Sequence, residues 1–167
     1  MKNLYLPTHK TIYLVRHGLS TLSKHGYGKR KLTADLLPQG EPAVERIARY
    51  LEDVPESLNI SSDLPRCRHT AAIITRITGK LFTFDKRLSE YYHETFTEFK
   101  SRIYDVLKDL SAAPEQNLII CTHGSVIAGI TYFIMEHKFI YKNLYDYPKE
   151  GELLLIQNQK SRKLSFN

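Results

Sequence analysis

Short apolar runs and helically spaced apolar stripes alternate along the chain. Thr11-Ile12-Tyr13-Leu14-Val15 is a β-branched and aromatic run that breaks at Arg16-His17-Gly18. That pattern predicts a buried strand running into a loop. Residues 41–52 place Ala43, Val44, Ile47, Ala48 and Leu51 on one side and Glu45, Arg46 and Arg49 on the other, the spacing of an amphipathic helix. A short strand ending at Asn59-Ile60-Ser61-Ser62 leads through Pro65 into a helix from about Arg66 to Ile77, which Gly79 stops. Leu81–Phe84 reads as another short strand, and the series Phe96, Phe99, Ile103, Leu107, Leu110 as a long helix with Pro114 just beyond its end.

Asn117–Cys121 is a continuous apolar strand, and Thr122-His123-Gly124 opens into an apolar helix from about Val126 to Glu136, mirroring the first unit. The last two runs, Glu152–Gln157 and Lys163–Phe166, flank a polar Lys-Ser-Arg turn and would pair as a hairpin. Strand and helix alternation of this kind predicts an α/β fold: a three-layer αβα sandwich around a mostly parallel sheet. No repeat, low-complexity tract or long linker divides the chain, so residues 1–167 read as one domain.

With 167 residues, the chain is long enough to bury about 70% of its unfolded surface without staples. It carries only Cys67 and Cys121, too few for a disulfide framework, and Met1–Lys10 has no apolar run resembling a signal sequence. A cytoplasmic location is the expectation. The longest apolar stretches fall well short of the ~20 residues a spanning helix needs, so no membrane passage is expected. Lys and Arg number 24 against 18 Asp and Glu, a net charge of +6, which favours phosphorylated or polyanionic partners. No aromatic and basic RNA-binding motif accompanies that charge, which argues against nucleic acid.

Ligands of open α/β sheets bind at the carboxyl ends of strands, and three such ends carry chemistry here. Arg16-His17-Gly18, Ser61 to Arg66, and His123-Gly124 supply two histidines and two arginines to one edge. Guanidinium forks match phosphate oxygens, and a neutral imidazole is a nucleophile near neutral pH. Phosphoryl transfer is the chemistry this set suits. Cys67-Arg68-His69 and Cys121-Thr122-His123 could together offer four zinc-capable side chains, but their spacing is not that of zinc sites, and no metal or other cofactor is expected. Neither a Cys-x5-Arg loop nor a Gly-x4-Gly-Lys-Ser/Thr loop is present.

Arg16-His17-Gly18, the Ser-Ser-x-Leu-x-Arg-x-x-x-Thr-Ala pattern at Ser61–Ala71, and the late His123-Gly124 occur in the order seen in one family. Leu88-Ser89-Glu90 is a weaker fourth match, and Pro38-Gln39-Gly40 also fits. The sequence resembles the histidine phosphatase superfamily, also called phosphoglycerate mutase-like. The resemblance implies that His17 attacks phosphorus, that Arg16, Gly18, Arg66 and His123 hold the phosphoryl group, and that Glu90 handles the leaving group's proton. It implies a phosphomonoester or phosphoprotein as partner. Glu94 or Glu98 could replace Glu90 if the alignment slips.

Two departures from the family pattern are visible. Ser20 and Ser23 stand where the Arg-His-Gly-x-Thr-x-x-Asn pattern has Thr and Asn, and Tyr91-Tyr92-His93 leads almost directly from Glu90 to the long helix. The missing insertion argues for hydrolysis over mutase chemistry. Phosphohistidine phosphatase activity, mutase activity and an inactive basic binding module remain the alternatives. Ser23, Lys29 and Tyr91 are candidate substrate contacts, and Lys24, His25, Lys29, Arg30 and Lys31 form a basic run that could steer anions. Ser62 and Thr70 read as helix caps or turn formers without a site role.

Overall fold

The computed structural model describes residues 6–21 and 30–167. Among them, six strands form one sheet: β1 (Thr11–Arg16), β2 (Ser57–Ser61), β3 (Thr83–Phe84), β4 (Asn117–Thr122), β5 (Glu152–Gln157) and β6 (Lys160–Ser165). Their order is β3-β2-β4-β1-β5-β6. β1, β2, β3 and β4 run parallel, and β5 lies antiparallel to both of its neighbours. Among the described residues, four helices pack on the sheet: α1 (Glu41–Glu52), α2 (Pro65–Thr78), α3 (Phe96–Ala112) and α4 (Gly124–Glu136).

The period-2 alternation of the central strands divides the core into two halves. Ile12 and Leu14 of β1, with Leu118 and Ile120 of β4, face Phe99, Ile103 and Leu107 of α3 and Ile127 and Ile130 of α4. Val15, Ile119 and Cys121 face the other way, onto Val44, Ile47 and Leu51 of α1 and Ile73 and Ile74 of α2. Each fully buried Leu or Ile contributes roughly 1.5–3 kcal/mol, so central strands that are apolar on both sides hold both helical layers in place. Local signals set the helix ends. Pro65 starts α2 and Gly79, at φ +73°, ends it, while Thr95 and Glu98 form a reciprocal capping box at the start of α3.

Two details differ from the sequence reading. The final hairpin turns at Asn158-Gln159, both at positive φ, and Lys160-Ser161-Arg162 belongs to β6. A two-residue turn with both residues left-handed matches the twist of paired strands, and Asn tolerates that conformation better than most residues. The strand expected at 81–84 is only Thr83–Phe84, because β2 offers parallel partners just at Ile60 and Ser61.

Registration of the parallel strands builds the functional edge. Arg16 lies opposite Thr122 and Ser61 opposite Cys121, so β1, β2 and β4 end level with one another. Backbone bonds extend the alignment by one residue, from His17 N to Thr122 O (3.1 Å) and from Ser62 N to Cys121 O (2.9 Å). No described helix is long and apolar enough to cross a membrane.

Candidate active site

Arg66 organises the site. It stands on the first turn of α2 and is fully buried, a position an arginine occupies only when its donors are satisfied. Its Nε donates to His17 Nε2 (3.2 Å), and its Nη2 donates to His123 Nδ1 (3.0 Å) and Glu90 Oε2 (3.4 Å). Nη1 donates to the Lys31 carbonyl (2.8 Å). One planar guanidinium thus joins both histidines to the acid.

Hydrogen bonding determines the tautomer of each ring. His17 Nδ1 must donate to the carbonyl of Gly18 (2.8 Å), which leaves Nε2 with the lone pair that receives Arg66. His123 is the reverse: Nδ1 accepts from Arg66, and Nε2–H points at Ser62 Oγ (2.8 Å). Burial, then the charges of Arg66 and Arg16, hold the pKa of His17 well below its ordinary value, against a smaller opposing effect of the Gly18 bond. The pKa of His123 is lowered in the same direction, first by burial and then by Arg66, His17 and Arg16. Both rings are therefore neutral at pH 7, and His17 presents an unprotonated Nε2.

Glu90 is the carboxylate that reaches this cluster, 3.6 Å from His123 Nδ1 and almost fully buried. Glu94 is instead paired with Arg102 at 2.6 Å, and Glu98 is spent on the capping box. Arg102 also steadies the acid segment by donating to the Glu90 carbonyl (3.3 Å).

Arg16 is held differently from expectation. Its Nη2 pairs with Glu150 (2.8 Å), its Nη1 donates to the Pro148 carbonyl (3.0 Å), and its guanidinium lies 4.9 Å from the centre of the Tyr147 ring. Nε of Arg16 is buried without a hydrogen-bond partner among the described residues. Gly124 makes room for this arrangement, because a Cβ there would come within 2.6 Å of the Tyr147 ring.

Gly18, expected among the phosphate ligands, has its N–H committed to Thr70 Oγ1 (3.1 Å) and its carbonyl to His17. A Cβ at Gly18 would meet Leu36 and Val44 side-chain atoms at 2.7 and 2.8 Å, so close packing, not ligation, requires glycine there. Tyr91, expected as a substrate contact, packs its ring against Phe99 with centroids 4.7 Å apart. Its carbonyl accepts from Lys31 Nζ (2.7 Å). Ser23, Lys24, His25 and Lys29 lie outside the described residues.

Sequence reasoning passes over two members of the site. Ser62 accepts from His123 and also from Leu64 N (3.3 Å), so the turn-forming serine sets the histidine's tautomer as well. Thr70 donates to Arg66 O (2.8 Å) while receiving Gly18 N, and so ties α2 to the loop that carries His17. Both belong to the Ser-Ser-x-Leu-x-Arg-x-x-x-Thr-Ala pattern, and that membership was the signal available.

His17, Glu90 and His123 bring three donor atoms within 4.8 Å of one another, close enough to ligate a cation. Arg66 is bonded to all three, so the guanidinium already supplies positive charge among those donors. The two Cys-x-His segments do not converge as a zinc site. His69 turns to Asp35 (3.5 Å) and Glu41 (3.6 Å), while Cys67 lies 3.5 Å from His123 Nε2 with its thiol pKa pushed up by burial and by Cys121.

The family model of the histidine phosphatase superfamily (branch 1) matches residues 12–93, the stretch holding His17, Arg66 and Glu90. Over this stretch the chain is similar to the histidine phosphatase superfamily. A Hydrogenobacter thermophilus relative named as a phosphoserine phosphatase is 24% identical over 155 residues, covering 72% of this chain and 76% of that protein. An Escherichia coli relative named as the phosphoglycerate mutase GpmB is 34% identical over 79 residues, which is 47% of this chain and 37% of the mutase. The match thus spans little more than a third of that mutase. The crystal structure of an Escherichia coli protein described as an alpha-ribazole-5'-P phosphatase superposes with a TM-score of 0.80 at 16% identity, covering 95% of this chain and 96% of its own. The fold and this similarity agree with the resemblance read from the motifs.

Proposed function

We propose that this chain acts as a histidine phosphatase and hydrolyses a phosphomonoester through a covalent phosphohistidine at His17, without a metal ion. The observation that carries the reading is the state of His17: neutral, oriented by the Gly18 carbonyl, with its Nε2 lone pair directed at the Arg66 guanidinium. An anionic phosphoryl group drawn to Arg66 meets that lone pair.

In the first step Nε2 forms a bond to phosphorus while the bond to the leaving oxygen breaks, and Glu90 gives that oxygen a proton. In the second, water attacks phosphorus, the P–N bond breaks, and the carboxylate of Glu90 takes the proton of the water. Arg66 and Arg16 supply the positive charge and donors that the phosphoryl oxygens need, a task that metal ions perform in many phosphoryl-transfer enzymes. His123 turns its Nδ1 to Arg66, with Glu90 beside them. The placement of Glu90 beside Arg66 favours esters, whose alkoxide leaving groups need a proton, over phosphohistidine. The short link from Glu90 to α3 favours hydrolysis over mutase chemistry.

The test assays wild type and His17→Ala on a panel of phosphate esters with EDTA present. Turnover that survives EDTA and is lost in the variant is the expected result. A variant that keeps near-normal rates removes the nucleophile assignment, and strict metal dependence removes the metal-free mechanism.

A further inference from the structure

Attack by His17 Nε2 must be in line with the departing oxygen, and the group placed to protonate that oxygen is Glu90. The leaving alcohol therefore departs on the Glu90 side of Arg66. On that side the chain brings a second cation. Lys31 Nζ donates to the carbonyl of Tyr91, the residue after Glu90 (2.7 Å), and lies 5.5 Å from the centre of the Tyr92 ring. The Lys31 carbonyl is meanwhile bonded to Arg66 Nη1 (2.8 Å), so this loop is anchored to the same guanidinium that joins His17 to Glu90.

We infer that Lys31 selects phosphomonoesters whose leaving alcohol carries a second negative charge, an inference that rests on the phosphatase reading above. Lys31 is half-buried, where an ion pair is worth more than at a fully exposed site. Its ammonium is close enough to the site to feel both Glu90 and Arg66: burial and Arg66 lower its pKa, and Glu90 raises it. The neighbouring carboxylates do not compete equally, since Glu94 is taken by Arg102 at 2.6 Å. The backbone of this loop has its own anchors, the Lys31 carbonyl on Arg66 and Leu37 N on Leu19 O (2.8 Å), which a change of the Lys31 side chain leaves intact.

The experiment measures kcat/KM on matched pairs that differ in one charged group. The first pair is 3-phosphoglycerate and glycerol 3-phosphate, and the second is 1,3-propanediol bisphosphate and 3-hydroxypropyl phosphate. Wild type, Lys31→Met and Lys31→Arg are compared, with p-nitrophenyl phosphate and His17→Ala alongside. The expected result is a preference of about tenfold for the charged member in wild type, the factor that 1.4 kcal/mol provides. Lys31→Met brings the ratio to near one and Lys31→Arg restores most of it. The ratio is taken within each protein, so a reduced folded fraction cancels.

The pair that shows the preference tells whether carboxylate or phosphate is read. A wild-type ratio near one for both pairs, or a preference that Lys31→Met leaves intact, overturns the inference. If p-nitrophenyl phosphate is still hydrolysed in a His17-dependent manner, the phosphatase reading stands without it. If no ester gives His17-dependent turnover, both fall.

Discussion

Lowering the pH from 7.5 to 5.5 should weaken the fold measurably through His17 and His123. Both are fully buried and held neutral, by burial first and by the Arg66 guanidinium second. In the unfolded chain an imidazole titrates near 6.5, so below that pH the unfolded state binds protons that the native state refuses. Stability is therefore fully present above about pH 6.5 and declines as the pH falls below it. At pH 5.5, one unit below the unfolded value, each histidine costs at most about 1.4 kcal/mol, and at pH 7.5 almost nothing. Together they remove up to about 3 kcal/mol, which for a chain of this length lowers the melting temperature by at most roughly 6–12 °C. The assay is thermal unfolding followed by circular dichroism at both pH values, for wild type and His17→Asn. The asparagine amide keeps a donor for the Gly18 carbonyl and does not titrate. The variant should lose about half as much as wild type over the same interval. Equal losses in the two proteins would mean that His17 is not held neutral, and the reasoning would fail with it. The window excludes most carboxylates, which titrate near pH 4.

Two further predictions follow from the site. Glu90→Gln should slow alkyl phosphates far more than p-nitrophenyl phosphate, whose leaving group needs no proton, and an equal loss on both would place the acid elsewhere. Ser62→Ala strips His123 Nε2–H of its acceptor at a buried position and should cost about 1–3 kcal/mol in a urea unfolding midpoint. A change under about 0.5 kcal/mol would show that another group accepts that proton.

Much of this architecture is legible before folding because its signals are local. The stripe at Ala43, Val44, Ile47, Ala48 and Leu51 is α1, and all five side chains are buried. Arg16-His17-Gly18 and Thr122-His123-Gly124 each end a buried strand because an apolar run stops there, and parallel pairing brings the two ends together. What sequence reading misses depends on partners distant in the chain. Arg16 carries the right chemistry, but nothing near it announces that Glu150 and Pro148 will grip its guanidinium. Thr70 reads as a helix cap or turn former until α2 takes it into its interior and lays it against Gly18. Of Glu90, Glu94 and Glu98, Glu90 lies beside Arg66 and His123, while Arg102 holds Glu94 and the capping box holds Glu98. The hairpin turn is misplaced because the charged residues of β6 resemble a loop, whereas they form the open edge of the sheet.

The central position of β1 and β4 also bears on when the site comes into being. His17 and His123 are neighbours in the sheet, yet α1, β2, α2, β3 and α3 are all threaded between them in the chain. Contacts this distant form late and slowly, since the loop between them must close before pairing rewards it. Helices α1 and α3 can gain their hydrogen bonds early without assembling any chemistry. During refolding from denaturant, the return of activity should therefore lag behind the return of helical signal and report on the completed central pair of strands.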